Sequence, residues 1–118
     1  MVNRILAFAA ASAMVLSASS ALAHARLVSA TPGNGITVTA PRTISLTFSE
    51  RFAAPFSTVE VEDSRGRAIR LTKAVSEDGK TLGGSFAAPL TTGVYRVTWA
   101  IAAADGHRMT GTYSFTVR

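Results

Sequence analysis

Thr43-Ile44-Ser45-Leu46-Thr47-Phe48 alternates polar and apolar side chains without a break. In an extended chain successive side chains point to opposite faces, so Ile44, Leu46 and Phe48 share one face and the run predicts a half-buried strand. The same period of two returns in Thr58-Val59-Glu60-Val61-Glu62, in Ala68-Ile69-Arg70-Leu71, in Tyr95-Arg96-Val97-Thr98-Trp99-Ala100-Ile101 and in Thr112-Tyr113-Ser114-Phe115-Thr116-Val117. Helical spacing is absent from this part of the chain.

Working outward, each run is bounded by turn chemistry: Thr31-Pro32-Gly33-Asn34-Gly35, Ala40-Pro41, Ser64-Arg65-Gly66, Glu77-Asp78-Gly79-Lys80, Pro89-Leu90-Thr91-Thr92-Gly93 and Asp105-Gly106. Asp78-Gly79 is the strongest hairpin signal, because both residues tolerate the positive φ that matches strand twist. Gly83-Gly84, between Leu82 and Phe86, weakens a strand there and marks a bulge or a close backbone approach. Short strands at this spacing in one small domain predict an all-β, immunoglobulin-like Greek-key sandwich with Trp99 between its sheets.

The first 23 residues read differently. Arg4 precedes an apolar run from Ile5 to Leu16, and Ala21-Leu22-Ala23 follows a small polar stretch, the order of an export signal with its cleavage site. The apolar run is shorter than the roughly 20 residues that span a bilayer. We therefore expect residues 1–23 to be removed, a mature domain over 24–118 that begins with His24, a periplasmic location and no membrane-spanning segment after cleavage. About 95 residues suffice for one β-sandwich and not for two cores.

The chain has 12 Lys+Arg, 7 Asp+Glu and no cysteine, so disulfides and thiolate metal sites are excluded. Loss of Arg4 with the signal would leave a net charge of about +4. Arg26, Arg42, Arg51, Arg65, Arg67, Arg70 and Arg96 are scattered among apolar residues, which suggests solvated strand faces. A nucleic-acid partner is not expected, since it would call for a clustered basic stripe with interleaved aromatics.

His24 and His107 are the only histidines. An N-terminal histidine offers its α-amine and its imidazole Nδ1 to one metal in a six-membered chelate ring whose covalent link lowers the entropy cost of the second donor. Amine and imidazole have ordinary pKa values of about 7.7–8.0 and 6.5, so both can lose protons to a competing metal near neutrality. In Asp105-Gly106-His107 a glycine permits a bend that aims a carboxylate and an imidazole at one point. An amine, two imidazoles and a carboxylate suit Cu(II), with zinc or nickel binding more weakly. On its own the tripeptide is compatible with an ordinary exposed loop, and the exposure of His24 by cleavage is what favours a site.

His24-Ala25-Arg26-Leu27, Pro32-Gly33-Asn34-Gly35, Leu46-Thr47-Phe48-Ser49-Glu50, Phe56-Ser57-Thr58-Val59, Gly93 through Trp99, Ala104-Asp105-Gly106-His107 and Gly111 through Phe115 occur in order at matching separations, and in them the chain resembles the CopC family of periplasmic copper-resistance proteins. The resemblance implies a sandwich of seven strands that holds Cu(II) in a histidine brace: His24 by amine and imidazole, His107 by a third nitrogen, Asp105 by a carboxylate oxygen. It also implies that Glu50 orients the amine or His24 from behind the ligands. Some members carry a methionine-rich Cu(I) site. The mature chain has only Met109, expected to be a packing residue, so no Cu(I) site is expected.

These features suggest a monomeric copper carrier or buffer in copper resistance or homeostasis, not an enzyme, that hands copper to an inner-membrane transport partner. Two alternatives belong to other classes. A histidine brace can also serve an oxygen-activating copper enzyme, against which stand the short chain and the lack of an evident aromatic array for a glycan. A metal-free interaction module would use only the edges of the sandwich.

Overall fold

The computed structural model describes residues 25–118, so the expected signal segment and His24 lie outside the described residues. Eight strands follow in order: β1 Leu27–Thr31, β2 Thr37–Val38, β3 Thr43–Phe48, β4 Thr58–Glu62, β5 Leu71–Val75, β6 Thr81–Phe86, β7 Gly93–Ala102 and β8 Arg108–Val117. A single 3-10 turn at Ala54–Phe56 precedes β4. The strands form two four-stranded sheets, ordered β1-β3-β6-β5 and β2-β8-β7-β4, and the chain crosses between them repeatedly. This is the expected β-sandwich, with eight strands in place of seven because a two-residue β2 runs parallel to the end of β8. Among the described residues no helix is long and apolar enough to cross a membrane.

The alternating runs place their apolar residues between the sheets as the period of two requires. Ile44, Leu46 and Phe48 of β3 face Val97, Trp99 and Ile101 of β7 and Phe115 and Val117 of β8 in one core. Trp99 sits there at 8% exposure, its ring edge-on to Phe48 with centroids 5.0 Å apart, and Phe48 meets Phe52 in the same way at 5.7 Å. Edge-to-face contact suits the positive rim and negative face of aromatic rings.

Three local expectations need correction. The strand expected over Ala68–Leu71 begins only at Leu71; Ala68 makes a lone bridge to Glu62, and the Ile69 N–H donates to the Val61 carbonyl before the chain crosses to the other sheet. The Asp78-Gly79 hairpin does join β5 to β6, but as a four-residue turn closed by the Gly79 N–H on the Ser76 carbonyl, with Gly79 at φ 70°. The Ser76 hydroxyl and the Lys80 N–H both donate to the Asp78 carboxylate, which holds its pKa below the usual range. Finally, Arg42, Arg51, Arg65, Arg67 and Arg70 lie outside the strands, and only Arg96 occupies a strand face among the seven arginines singled out above.

The Gly83-Gly84 pair lies inside a fully paired strand. A Cβ on Gly83 would stand 2.1 Å from the Ile44 carbonyl oxygen, and one on Gly84 2.1 Å from Leu71 Cδ1. Close backbone approach, one of the two readings of that pair, is therefore the reason for it.

Candidate metal centre

Register gives the sandwich two ends. At one of them β3, β5 and β7 finish while β1, β4, β6 and β8 begin, since Leu27 pairs with Phe48, Val75 with Leu82, Thr58 with Ala100 and Ala102 with Arg108. Backbone bonds knit this end together. Phe52 bridges Ala103, and the Ala53 N–H donates to the Ala102 carbonyl, so the segment after β3 is fastened to the end of β7. Ser57, fully buried, reinforces the seam: its hydroxyl donates to the Ala53 carbonyl at 2.8 Å and accepts the Ala102 N–H at 3.1 Å.

The loop between β7 and β8 carries Asp105 and His107. The Ala103 N–H donates to the His107 carbonyl and the Gly106 N–H to the Ala103 carbonyl, with Gly106 at φ 88°, a left-handed conformation suited to glycine. Asp105 Oδ1 accepts the backbone N–H of His107 at 3.0 Å, and Oδ2 lies 2.9 Å from His107 Nδ1. The tripeptide thus presents carboxylate and imidazole side by side, at 36% and 68% side-chain exposure. A carboxylate on Nδ1 fixes the ring and its tautomer and leaves Nε2 as the nitrogen at which a metal would meet this ring.

The start of the described chain reaches the same end. Ala25 is completely buried in the core, the Arg26 N–H donates to Ser49 Oγ at 2.9 Å, and the Ser49 N–H donates to the Arg26 carbonyl at 2.8 Å. Glu50, exposed, follows directly. Asp105, His107 and Glu50 therefore share one end, and His24 itself is outside the described residues. Among the described residues no group of three or more His, Asp or Glu side chains is close enough to hold a metal. Met109 is half-buried and packs against the core, as expected of it.

Two features of this end were not anticipated. Phe56 is 66% exposed, the one exposed aromatic among the described residues, and Arg108 donates to its carbonyl at 3.2 Å. Ser57 was noticed only as part of a family motif, because a buried hydroxyl bridging two segments leaves no periodic signal.

The family model for the CopC domain matches residues 27–118. Copper resistance protein C of Xanthomonas campestris pv. juglandis is 34% identical over 110 residues, covering 87% of each chain. Copper resistance protein C of Pseudomonas syringae pv. tomato is 34% identical over 105 residues, covering 83% of each. Among solved structures, PcoC of Escherichia coli, described as a methionine-rich copper resistance protein, superposes with a TM-score of 0.75 at 33% identity, over 81% of this chain and 100% of that one. CopC from Methylosinus trichosporium OB3b superposes with a TM-score of 0.74 at 28% identity, over 80% of this chain and 93% of that one. Profile, relatives and architecture agree, and the chain belongs to the CopC family.

Proposed function

We propose that the protein is an exported copper carrier that binds one Cu(II) through a histidine brace: the amine and Nδ1 of His24, Nε2 of His107 and a carboxylate oxygen of Asp105. The observation that carries this is the convergence on one end of the sandwich of the Asp105-His107 pair and the segment that follows His24, pinned through Arg26 and Ser49. The donor set is rich in nitrogen and suits Cu(II). Glu50, next to Ser49, would orient the amine or His24 from behind the ligands. Copper resistance, the role in the relatives' names, is the process we assign it, with transfer to an inner-membrane partner as its outcome.

Oxygen-activating chemistry gains little support here, since one exposed aromatic is not a platform for a polymeric substrate. Met109, against the core, supplies no cluster of thioethers for Cu(I).

The brace makes a sharp demand on the chain end. One glycine added before His24 turns the amine into an amide, and Cu(II) affinity measured by calorimetry is expected to fall about a hundredfold or more, where about 1.4 kcal/mol corresponds to tenfold. Equal affinity with and without the added residue rules the brace out. In electron spin resonance His107→Ala is expected to lose one strongly coupled nitrogen, while Met109→Ala leaves the spectrum unchanged.

A further inference from the structure

The positive charge of the molecule is gathered at the end far from Asp105 and His107. Arg42 precedes β3, while Arg65, Arg67 and Arg70 lie between β4 and β5, and all four are exposed. Arg42 and Arg70 are brought together across β6, since the Phe86 N–H donates to the Arg42 carbonyl and the Ala87 N–H to the Arg70 carbonyl. Asp63 is the one acidic side chain in these loops, and its Oδ1 is occupied by the backbone N–H groups of Arg65 and Arg67, each at 2.9 Å. None of the four guanidiniums has a carboxylate within ion-pair distance among the described residues, whose ion pairs are Arg96 with Glu62 and His107 with Asp105. Arg118 lies at this end too, its N–H donating to the Val38 carbonyl.

The opposite end is nearly balanced. Arg26, Arg51, Lys80, Arg108 and the ammonium group of Lys73, which donates to the Ala54 and Ser57 carbonyls, stand there with Glu50, Glu77, Asp78 and Asp105. The ten residues of β7 run between the two ends, which at about 3.3 Å per residue puts them roughly 30 Å apart. The domain is therefore a charge dipole along its strands.

We infer that the arginine end docks on an anionic lipid surface. Charge complementarity is the first reason, and the texture of the surface selects lipid over protein. Between the arginines most exposed residues are small, Ala40, Ala87, Ala88 and Pro89, and Val94 is the one large apolar side chain exposed beside them. Arg42 and Pro89 border a shallow hollow of about 430 Å³, and Arg65, Arg67 and Val94, with Asp63, another of about 320 Å³. Protein partners are held by aromatic or arginine anchors that bury together in fitted pockets, whereas here no aromatic is exposed and the arginines are spread over separate loops. Mobile headgroups need no such fit, since they can rearrange to meet guanidiniums spread over separate loops. Each basic residue near an anionic leaflet strengthens attachment by about fivefold, and the attraction fades within a Debye length. Docking in this pose turns the Asp105-His107 end away from the bilayer, and it is independent of whether copper binds there.

The test uses the exported protein with vesicles of equal parts phosphatidylglycerol and phosphatidylcholine. Sedimentation in about 50 mM salt is expected to bring the protein down with these vesicles but not with phosphatidylcholine alone, and about 300 mM salt to release it. Arg65→Glu with Arg67→Glu is expected to weaken binding by at least about tenfold, whereas Arg51→Glu with Lys80→Glu at the other end changes it less than about twofold. Circular dichroism and Trp99 fluorescence check that each variant is folded. Because the chain has no cysteine, spin labels can be placed singly at Ala88→Cys and Glu77→Cys in the otherwise native protein. A lipid carrying a coordinatively saturated gadolinium chelate is expected to broaden the Ala88→Cys label and to spare the other. The inference is overturned by any of three results: no binding to the anionic vesicles at low salt, equal loss from both variant pairs, or equal binding to a short DNA oligonucleotide.

Discussion

Gly111 stands opposite Trp99 in the β7–β8 register, and a Cβ there would lie 2.3 Å from the indole Cζ2 and 2.8 Å from Nε1. The ring occupies the space a side chain would need. Gly111→Ala must therefore displace an aromatic wedged against Phe48, and it is expected to lower stability by about 1–3 kcal/mol, seen as a lower urea midpoint followed by circular dichroism. Trp99→Phe in the same background should recover part of that loss, because the two sites share one volume. This contact is invisible in the chain, where Gly111 is just one glycine in a polar stretch and its need follows from a partner twelve residues upstream. Asp105 and His107 are the opposite case. Their pairing is local, set by a tripeptide and its left-handed glycine, so residue types and spacing suffice to find it. The third member of the expected site, His24, lies outside the described residues, and its becoming a chain end would depend on the expected cleavage rather than on folding.

At the scale of elements, legibility follows how evenly a strand is buried. β3, β4, β7 and β8 each have one face in the core and one outside, and the period of two finds them. β5 is an edge strand whose inward position is taken by Lys73, with its ammonium group donating to the Ala54 and Ser57 carbonyls. An inward charge blunts a sheet edge against unwanted pairing, and the same charge erases the apolar alternation. The seam between the segment after β3 and the end of β7 is likewise reinforced by one hydroxyl. Ser57→Ala strands the Ala102 N–H as a desolvated donor, while the Ala53 carbonyl keeps the Phe56 N–H. A loss of about 1–3 kcal/mol in urea unfolding is expected. Amide exchange at Ala102 should quicken, while the far ends of β7 and β8 keep their protection.

The whole molecule has no disulfide, so its stability rests on one packed core, and a single perturbed group takes a visible share of a total of about 5–15 kcal/mol. Tyr113 is such a group. Its ring is buried at 9% exposure, and its hydroxyl donates to the Pro32 carbonyl at 2.9 Å, which ties β8 to the turn that follows β1 in the other sheet. Burial opposes the phenolate and pushes the pKa up to about 12 from 10.0. Below pH 10 the side chain is neutral in both the folded and the unfolded chain, and its full contribution is present. Between about pH 10 and 12 only the unfolded chain loses the proton, so stability falls with rising pH by at most about 1.4 kcal/mol per unit for this one group. Tyr113→Phe supplies the reference, since it keeps the ring and removes the proton along with one hydrogen bond. Urea midpoints of the two proteins measured in parallel are expected to differ in favour of the wild type near neutrality, with the difference shrinking steadily above pH 10. A difference that stays constant through pH 12 would show that the phenol ionises as readily in the folded protein as in the unfolded chain, and that the Tyr113 hydroxyl is more open to water than its position beneath the turn implies.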